Sequence, residues 1–273
     1  MKKEKKKIKI IEGIEKEAGI FNDYALIYDI LYQDKNYKKE SRFVSELIKQ
    51  YSLKSPKELK IIDLACGTGQ HIIELSKLGY KVEGSDPSEE MIKIAKQKNK
   101  ETNLNIEYYN ESFQTSERIK KKYDVILLLF SSINYLIKYE DITTSLKNFT
   151  SLLNEGGILI FDFWNGNAVI RDYFPLKVKR AYKRKKQVIR ISETTLDLIS
   201  QVSNVKFHFI VVDDGIIVNE FDEEHQIRYF FLQEMQDLLQ SHGFKVIGSC
   251  PFLENSKPVS AYDWNVTFIA KKC

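Results

Sequence analysis

The feature that most constrains this chain is a regular alternation of short apolar runs with amphipathic stretches between residues 60 and 164. Residues 60–65 (KIIDLA) read as a strand, 69–79 as a helix closed by Gly79, and 81–86 as a strand; 88–99 read as a helix with Ser88 as N-cap and Glu90 in its first turn. Residues 105–110, 123–130, 140–153 and 156–164 continue as strand, strand, helix and strand. Strands separated by helices pair in parallel, with the helices covering both faces of the sheet. The runs at 126–130 (ILLLF) and 158–161 (ILIF) offer no polar side, as expected of strands buried on both faces. The fold class is therefore α/β, with a mostly parallel sheet.

The flanks follow other rules. Residues 1–20 read as a Lys-rich tail. Over 21–55 the apolar positions Tyr24, Ile27, Tyr28, Leu31, Phe43, Leu47, Ile48 and Tyr51 recur at helical spacing, predicting two helices broken near residues 33–37 that form a lid. After Trp164 the pattern changes to long alternating stretches, with Asp214-Gly215 as a hairpin signal. Residues 165–229 are thus expected to be an antiparallel β insertion, serving as a substrate cap or a homodimer surface. A helix at 232–244 and strands at 245–250 and 266–272 return to the first scheme, so 56–164 and 230–273 form the sheet-bearing domain.

Composition removes several classes of function. No apolar run approaches the roughly 18 residues of a membrane span, and the basic N-terminus has no apolar segment behind it, so a cytoplasmic protein off the membrane is expected. Cysteines at 66, 250 and 273 make neither a CxxC pair nor an even framework, which argues for a reducing compartment and no metal site. The net charge of +4 is unevenly placed. Residues 1–9 hold six lysines against one glutamate, 177–190 hold eight basic side chains and no acid, and the remainder is net acidic. A broad nucleic-acid surface is disfavoured, and any polyanion must meet one of those two segments.

The chemistry lies in Asp63-Leu64-Ala65-Cys66-Gly67-Thr68-Gly69-Gln70-His71, between the first strand and its helix. In a doubly wound sheet an extended cofactor approaches the backbone at this turn, and glycine permits the approach. Asp86 follows Gly67 by 19 residues and ends the second strand, where a carboxylate can accept from a ribose diol. Ile72 stands where a dinucleotide fingerprint has its third glycine, and Asp63 adds an acid, which together point to a cofactor without a pyrophosphate.

With these residues the chain resembles the class I S-adenosylmethionine-dependent methyltransferases, whose first motif commonly reads DxxCGTG. The resemblance implies a Rossmann-like, seven-stranded sheet, S-adenosylmethionine as cofactor and S-adenosylhomocysteine as its product. It implies that Asp63, Ala65, Gly67 and Gly69 surround the methionine moiety and that Asp86 grips the ribose. It further implies Pro87 and Met91 beside the adenine, Glu111, Ser112 and Phe113 at the adenine edge, and Leu129 under the sulfonium.

Four separated pieces, at 28–41, 65–71 (ACGTGQH), 130–136 (FSSINYL) and 223–230 (EEHQIRYF), resemble more closely the N,N-dimethyltransferases of dTDP-linked amino-deoxyhexoses. That resemblance implies N-methylation of the amino group of a nucleotide-linked amino sugar. Asn134-Tyr135 departs from the Gly-His or Gly-Tyr usual there, and 162–165 (DFWN) from Glu-Pro-Trp-Trp. The alternative readings are O-methylation of a surface-polysaccharide sugar, then RNA methylation or cofactor binding without catalysis. No Asn/Asp-Pro-Pro-Tyr motif follows the fourth strand, against methylation of adenine or glutamine amino groups.

Methyl transfer needs alignment, a dry site and a deprotonated acceptor. Tyr28 is expected near the acceptor and Tyr37 near the cofactor carboxylate, although as amphipathic aromatics both could simply pack the lid. Among the histidines, His208 should face solvent, His242 should end a helix, and His71 should make a structural hydrogen bond or reach substrate. His225, with Arg228 beside it, is the candidate base, the alternative being a satisfied strand histidine. Ser132, Asn134, Tyr135 and Trp164 follow the fourth and fifth strands, where the acceptor should sit. Arg228 or the basic run at 177–190 could hold a diphosphate, and the run could equally be a solvated face.

Overall fold

The computed structural model describes residues 22–52 and 54–273; the tail expected at 1–20 lies outside the described residues. Helices α1 (Asn22–Leu31) and α2 (Tyr37–Tyr51) precede β1 (Lys60–Asp63), α3 (Gln70–Lys77), β2 (Lys81–Ser85), α4 (Glu89–Glu101), β3 (Tyr108–Tyr109) and β4 (Tyr123–Leu128). There follow α5 (Tyr139–Leu152), β5 (Leu153–Trp164), α6 (Gly166–Asp172), β6 (Leu176–Lys183), β7 (Lys186–Asp197), β8 (Val202–Asp213) and β9 (Ile216–Arg228). The chain closes with α7 (Leu232–Ser241), β10 (Phe244–Pro251) and β11 (Asn265–Lys272).

Seven strands form one sheet in the order β10-β11-β5-β4-β1-β2-β3. β1 pairs in parallel with β2 and β4, β2 with β3 and β4 with β5, while β11 runs antiparallel between β5 and β10. This is the Rossmann-like α/β arrangement, and its order reverses beside β1, which opens a crevice at the carboxyl ends of β1 and β4. Alternate residues of each central strand feed separate cores. Ile62, Ile126, Leu159 and Phe161 pack with Phe149 of α5 and Met235 and Leu239 of α7. Ile61, Val125, Leu127 and Ile160 pack with Leu47 of α2, Ile72 of α3 and Ile92 of α4.

Ser88 caps α4 by accepting from the Met91 amide at 3.3 Å, as its sequence position suggests. β3 is only two residues long, and the α7 helix stops at Ser241 with His242 as its C-cap.

The region expected to be wholly β begins instead with a helix. α6 is capped by Asn165, whose side chain accepts from the Asn167 amide at 3.3 Å, and Gly166 packs against Tyr229 and Phe231. β6–β9 then form an antiparallel meander, and Asp214 and Gly215 turn the β8–β9 hairpin in left-handed conformations. One face of this second sheet points inward: Ala181, Val188, Phe209 and Val211 form a third core with Tyr24, Ile27, Ile30 and Leu31 of α1 and Met91 of α4. On the outer face Val178, Tyr182 and Ile217 stay exposed. α1 is therefore held between the insertion and the main sheet. Asp29 extends the attachment, accepting from the Thr68 hydroxyl at 2.8 Å and ion-pairing with Lys98 at 2.5 Å. Among the described residues no helix is long and apolar enough to cross a membrane.

Candidate active site

One cavity of about 680 Å³ runs from the carboxyl ends of β1, β2 and β4 to the inner face of the insertion. Its first half is walled by the turn after β1. Gly67 (φ 52°) and Gly69 (φ 79°) both adopt left-handed backbone, but for different reasons. A Cβ on Gly69 would lie 2.9 Å from the Tyr108 hydroxyl and 3.2 Å from the Ala95 Cβ. A Cβ on Gly67 would meet nothing within 4 Å, because it would enter the cavity.

Asp86, at the end of β2, accepts from the Gly67 amide through Oδ2 and from the Ser88 amide through Oδ1, both at 2.9 Å. Burial pushes its carboxyl up to about 6 against the pull of those two amides. Each oxygen keeps a further acceptor site toward the cavity, which suits a diol. Pro87, Met91, Phe113 and Leu129 supply an apolar slot, and Ser112 a hydroxyl. These residues fit S-adenosylmethionine: a backbone turn open to a ligand, a carboxylate for the ribose and an apolar slot for the adenine.

The turn after β4 is strained. Phe130 (φ 62°) and Ser131 (φ 56°) are consecutive non-glycine residues in left-handed backbone, a conformation that persists only where neighbours enforce it. Asp162 of β5 does so, accepting from both the amide and the hydroxyl of Ser131 at 2.8 Å. Its other oxygen has no partner among the described residues, and burial pushes the carboxyl up to about 6. Phe130 thereby stays 44% exposed, with the Lys35 ammonium 4.1 Å from its ring centre.

The second half of the cavity belongs to the insertion and its supports. Arg190, Ser192 and Thr194 of β7 and Ser203 of β8 line it, with Lys177 of β6 and the indoles of Trp164 and Trp264. The Arg190 guanidinium lies 4.8 Å from the Phe207 ring centre and donates to the Tyr32 hydroxyl at 3.2 Å. The Lys177 ammonium lies 5.0 Å from the Phe174 ring and 5.7 Å from the Trp264 ring. Among the described residues neither cation has a carboxylate in ion-pair range. Between the halves, the Tyr135 hydroxyl lies 2.9 Å from His225 Nδ1, and His225 Nε2 lies 3.0 Å from a Glu223 carboxylate oxygen.

Of the residues singled out in the sequence, Tyr28, Tyr37, Ala65, Gly67, Asp86 and Pro87 line the cavity, as do Met91, Ser112, Phe113, Leu129, Ser132, Tyr135 and Trp164. Six do not. Asp63 is buried beneath the turn and accepts from the Ala65 amide at 3.2 Å; burial pushes its carboxyl up to about 7. Gly69 serves the start of α3. Glu111 turns outward to Arg118, 3.5 Å away, and Asn134 is buried with its side-chain oxygen toward the Trp164 amide. His225 stands behind Tyr135 rather than on the wall.

Arg228 is on the opposite strand face from His225, since residues three apart in a strand point to opposite sides. It donates to the Ile137 carbonyl and pairs with Glu234. His71 also lines the cavity, largely buried, with its Nε2 2.7 Å from Glu40, which also pairs with Lys35. Burial lowers the imidazole, while His71 and Lys35 hold Glu40 below the usual carboxylate range despite its own burial. His208 is on the outer face with Asp222 and Glu220. Sequence reasoning missed Tyr24, Tyr32, Lys177 and Arg190 as individual wall residues, together with Ser192, Ser203 and Trp264.

Residues 61–157 match the family described as methyltransferase domain. Over 253 residues the chain is 27% identical to the putative methyltransferase YqeM of Bacillus subtilis (strain 168), covering 93% of this chain and 97% of the relative. It is 24% identical over 226 residues to the dTDP-3-amino-3,4,6-trideoxy-alpha-D-glucopyranose N,N-dimethyltransferase of Streptomyces venezuelae, covering 82% and 91%. The crystal structure of a S-adenosylmethionine-dependent methyltransferase from Clostridium acetobutylicum superposes with a TM-score of 0.77 at 24% identity, covering 92% of this chain and 98% of that one, a likeness of fold. With the methyltransferase domain at 61–157 on this fold, and a first motif and carboxylate that fit the cofactor, the chain is a S-adenosylmethionine-dependent methyltransferase.

Proposed function

We propose that this enzyme N-methylates the amino group of a nucleotide-linked amino-deoxy sugar. The observation that carries the reading is the continuity of the cavity, from the Asp86 and Gly67 end to a cationic and aromatic end holding Lys177 and Arg190. A diphosphate placed there meets a guanidinium fork and an ammonium that have no carboxylate in ion-pair range among the described residues. Ser192, Thr194 and Ser203 offer hydroxyls to a sugar, and Trp164 and Trp264 offer planar faces to a base. The relative from Streptomyces venezuelae named for such a sugar supports the same reading. The basic run thus divides: its two ends face the cavity, and most of its middle faces water.

S-adenosylmethionine supplies an activated methyl group on a sulfonium. The chain's own work is placement. Asp86 holds the ribose, the Gly67 turn admits the methionine portion, Tyr28 and Tyr37 close the α1–α2 side, and Phe130 with Tyr135 bounds the space where the acceptor nitrogen must lie. A second copy is proposed to pack on the outer face of the insertion, over Val178, Tyr182 and Ile217; sedimentation of the full chain tests it.

The function is tested by incubating the full chain with S-adenosylmethionine and dTDP-3-amino-3,6-dideoxy-glucose, reading the product by mass and the N-methyl signal by NMR. One or two methyl additions on nitrogen are expected. An O-methyl signal, or transfer only to acceptors other than dTDP- or UDP-amino sugars, overturns the reading. Arg190→Ala should raise the acceptor KM about 10- to 100-fold, the worth of a charged hydrogen bond of about 1.5–3 kcal/mol, with cofactor affinity unchanged.

A further inference from the structure

An aliphatic amine reaches an enzyme at neutral pH mostly as an ammonium, which has no lone pair to accept a methyl group. On the N-methylation reading, something must take that proton at the cavity wall. Four histidines could serve, and geometry separates them. His208 is solvent-facing between Asp222 and Glu220, and His242 ends α7 with its Nδ1 2.7 Å from the Leu238 carbonyl. His71 faces Glu40, whose charge Lys35 already balances.

His225 is different. Its side chain is 1% exposed, and its two nitrogens face a hydroxyl and a carboxylate: Tyr135 at 2.9 Å and Glu223 at 3.0 Å. Glu223 is also withdrawn from solvent, at 11% side-chain exposure. The two residues share the inner face of β9 because they are two apart in a strand. Tyr135 comes from the short 3-10 turn Ser132–Tyr135 after β4 and keeps 42% of its surface open because it faces the cavity. Around the imidazole, Tyr24 of α1 and Phe207 of β8 place ring centres at 6.1 and 4.8 Å. Burial pushes the Tyr135 phenol well up, with Tyr32 and Glu223 adding to the rise and Arg190 opposing it.

We propose that Tyr135, His225 and Glu223 form a proton relay that deprotonates the acceptor. A neutral imidazole that donates Nε2–H to Glu223 leaves Nδ1 to accept from the Tyr135 hydroxyl. The acceptor N–H bond breaks, leaving its electron pair on nitrogen, and the proton goes to the Tyr135 oxygen. The phenol's own proton passes to Nδ1. One positive charge moves from the ammonium to an imidazolium whose far side rests against the Glu223 carboxylate. After methyl transfer the product leaves as an alkylammonium, and the imidazolium returns its proton through Tyr135 to water entering the emptied cavity. The net yield is one proton per methyl transferred. Tyr135 is the catalytic residue, and His225 and Glu223 act through it.

The test starts without an acceptor. In the full chain labelled with ¹⁵N-histidine, His225 is expected as the Nε2–H tautomer, its signal identified by the shift that Glu223→Gln causes. An Nδ1–H tautomer leaves nothing to take the phenol proton and overturns the relay. With saturating S-adenosylmethionine and dTDP-3-amino-3,6-dideoxy-glucose, Glu223→Gln should lower kcat about 10- to 100-fold near neutral pH, with acceptor KM changed less than about twofold. The loss should shrink as pH rises and the amine arrives neutral, and Glu223→Asp should restore activity. An unchanged kcat, or a loss independent of pH in folded protein, overturns the relay. If wild type methylates no amino-sugar nucleotide, the substrate reading fails, and the tautomer still decides the relay.

Discussion

At the end proposed for the cofactor the cavity is walled by backbone turns that follow β1, β2 and β4, whereas at the end proposed for the acceptor it is walled by side chains rising from the insertion sheet. The first half is set by strand ends that the parallel sheet holds in fixed register, and it needs little beyond glycine at a left-handed turn and one carboxylate. The second half depends on which face of an antiparallel meander each side chain occupies. A fold can therefore conserve one cofactor while exchanging acceptors, because changing side chains on one sheet face leaves the backbone turns undisturbed.

The sharpest way to break that separation is Phe209→Ala. Phe209 is fully buried in the third core, with ring centres 5.4 Å from Tyr24 and 4.9 Å from Phe221. Its loss should cost about 3–5 kcal/mol, read by denaturant unfolding, and should weaken cofactor binding as well, because α1 rests on it. Unchanged cofactor affinity in the folded variant would show that the two halves are energetically independent.

Asp86→Ala should weaken S-adenosylmethionine binding about 10- to 100-fold by calorimetry, while acceptor-end residues keep their effects on KM. Because burial lifts the Asp86 carboxyl to about 6, the wild-type affinity should fall as pH drops through about 6. Below that point the protonated acid has lost an acceptor and its charge. Asp86→Asn should bind weakly and show a flatter profile, and an unchanged inflection would assign the titration to another group.

The two glycines of the first motif sharpen the comparison within the cofactor end. Gly69→Ala meets Tyr108 and Ala95 and should lower stability by about 1–3 kcal/mol. Gly67→Ala carries only the left-handed backbone cost of about 1–2 kcal/mol, and its main effect should be on cofactor affinity, since its Cβ enters the ligand space. The smallest effect is expected at Lys179, whose pair with Asp34 at 2.9 Å is on the surface. Lys179→Met should change stability by less than about 1 kcal/mol, checked by thermal unfolding.

What was legible in the sequence follows the same division. The central strands announced themselves because burial on both faces leaves uniformly apolar runs, and the cofactor turn because its glycines and carboxylate stand close in sequence. α6 was missed because seven residues are too few to show helical periodicity, although Asn165 is a recognisable cap. The inward set of Lys177, Arg190, Ser192 and Ser203 could not be separated from its outward neighbours. In an alternating strand either face can be the buried one until the partner is known. The same ambiguity let His225 and Arg228 be read as companions. The positions of Glu111 and Asn134 depend on short turns whose side-chain directions no periodicity encodes.

α1 touches both halves, through Asp29 on Thr68 and Lys98 and through Tyr24, Ile27 and Leu31 on the insertion core. For chimeras this makes the first helix and the β6–β9 sheet a single transplantable part, although about 150 residues lie between them in the chain. A graft that moves the sheet to a relative and leaves α1 behind would pair mismatched surfaces across the roof of the cofactor chamber. Moved together, the two carry their own seam.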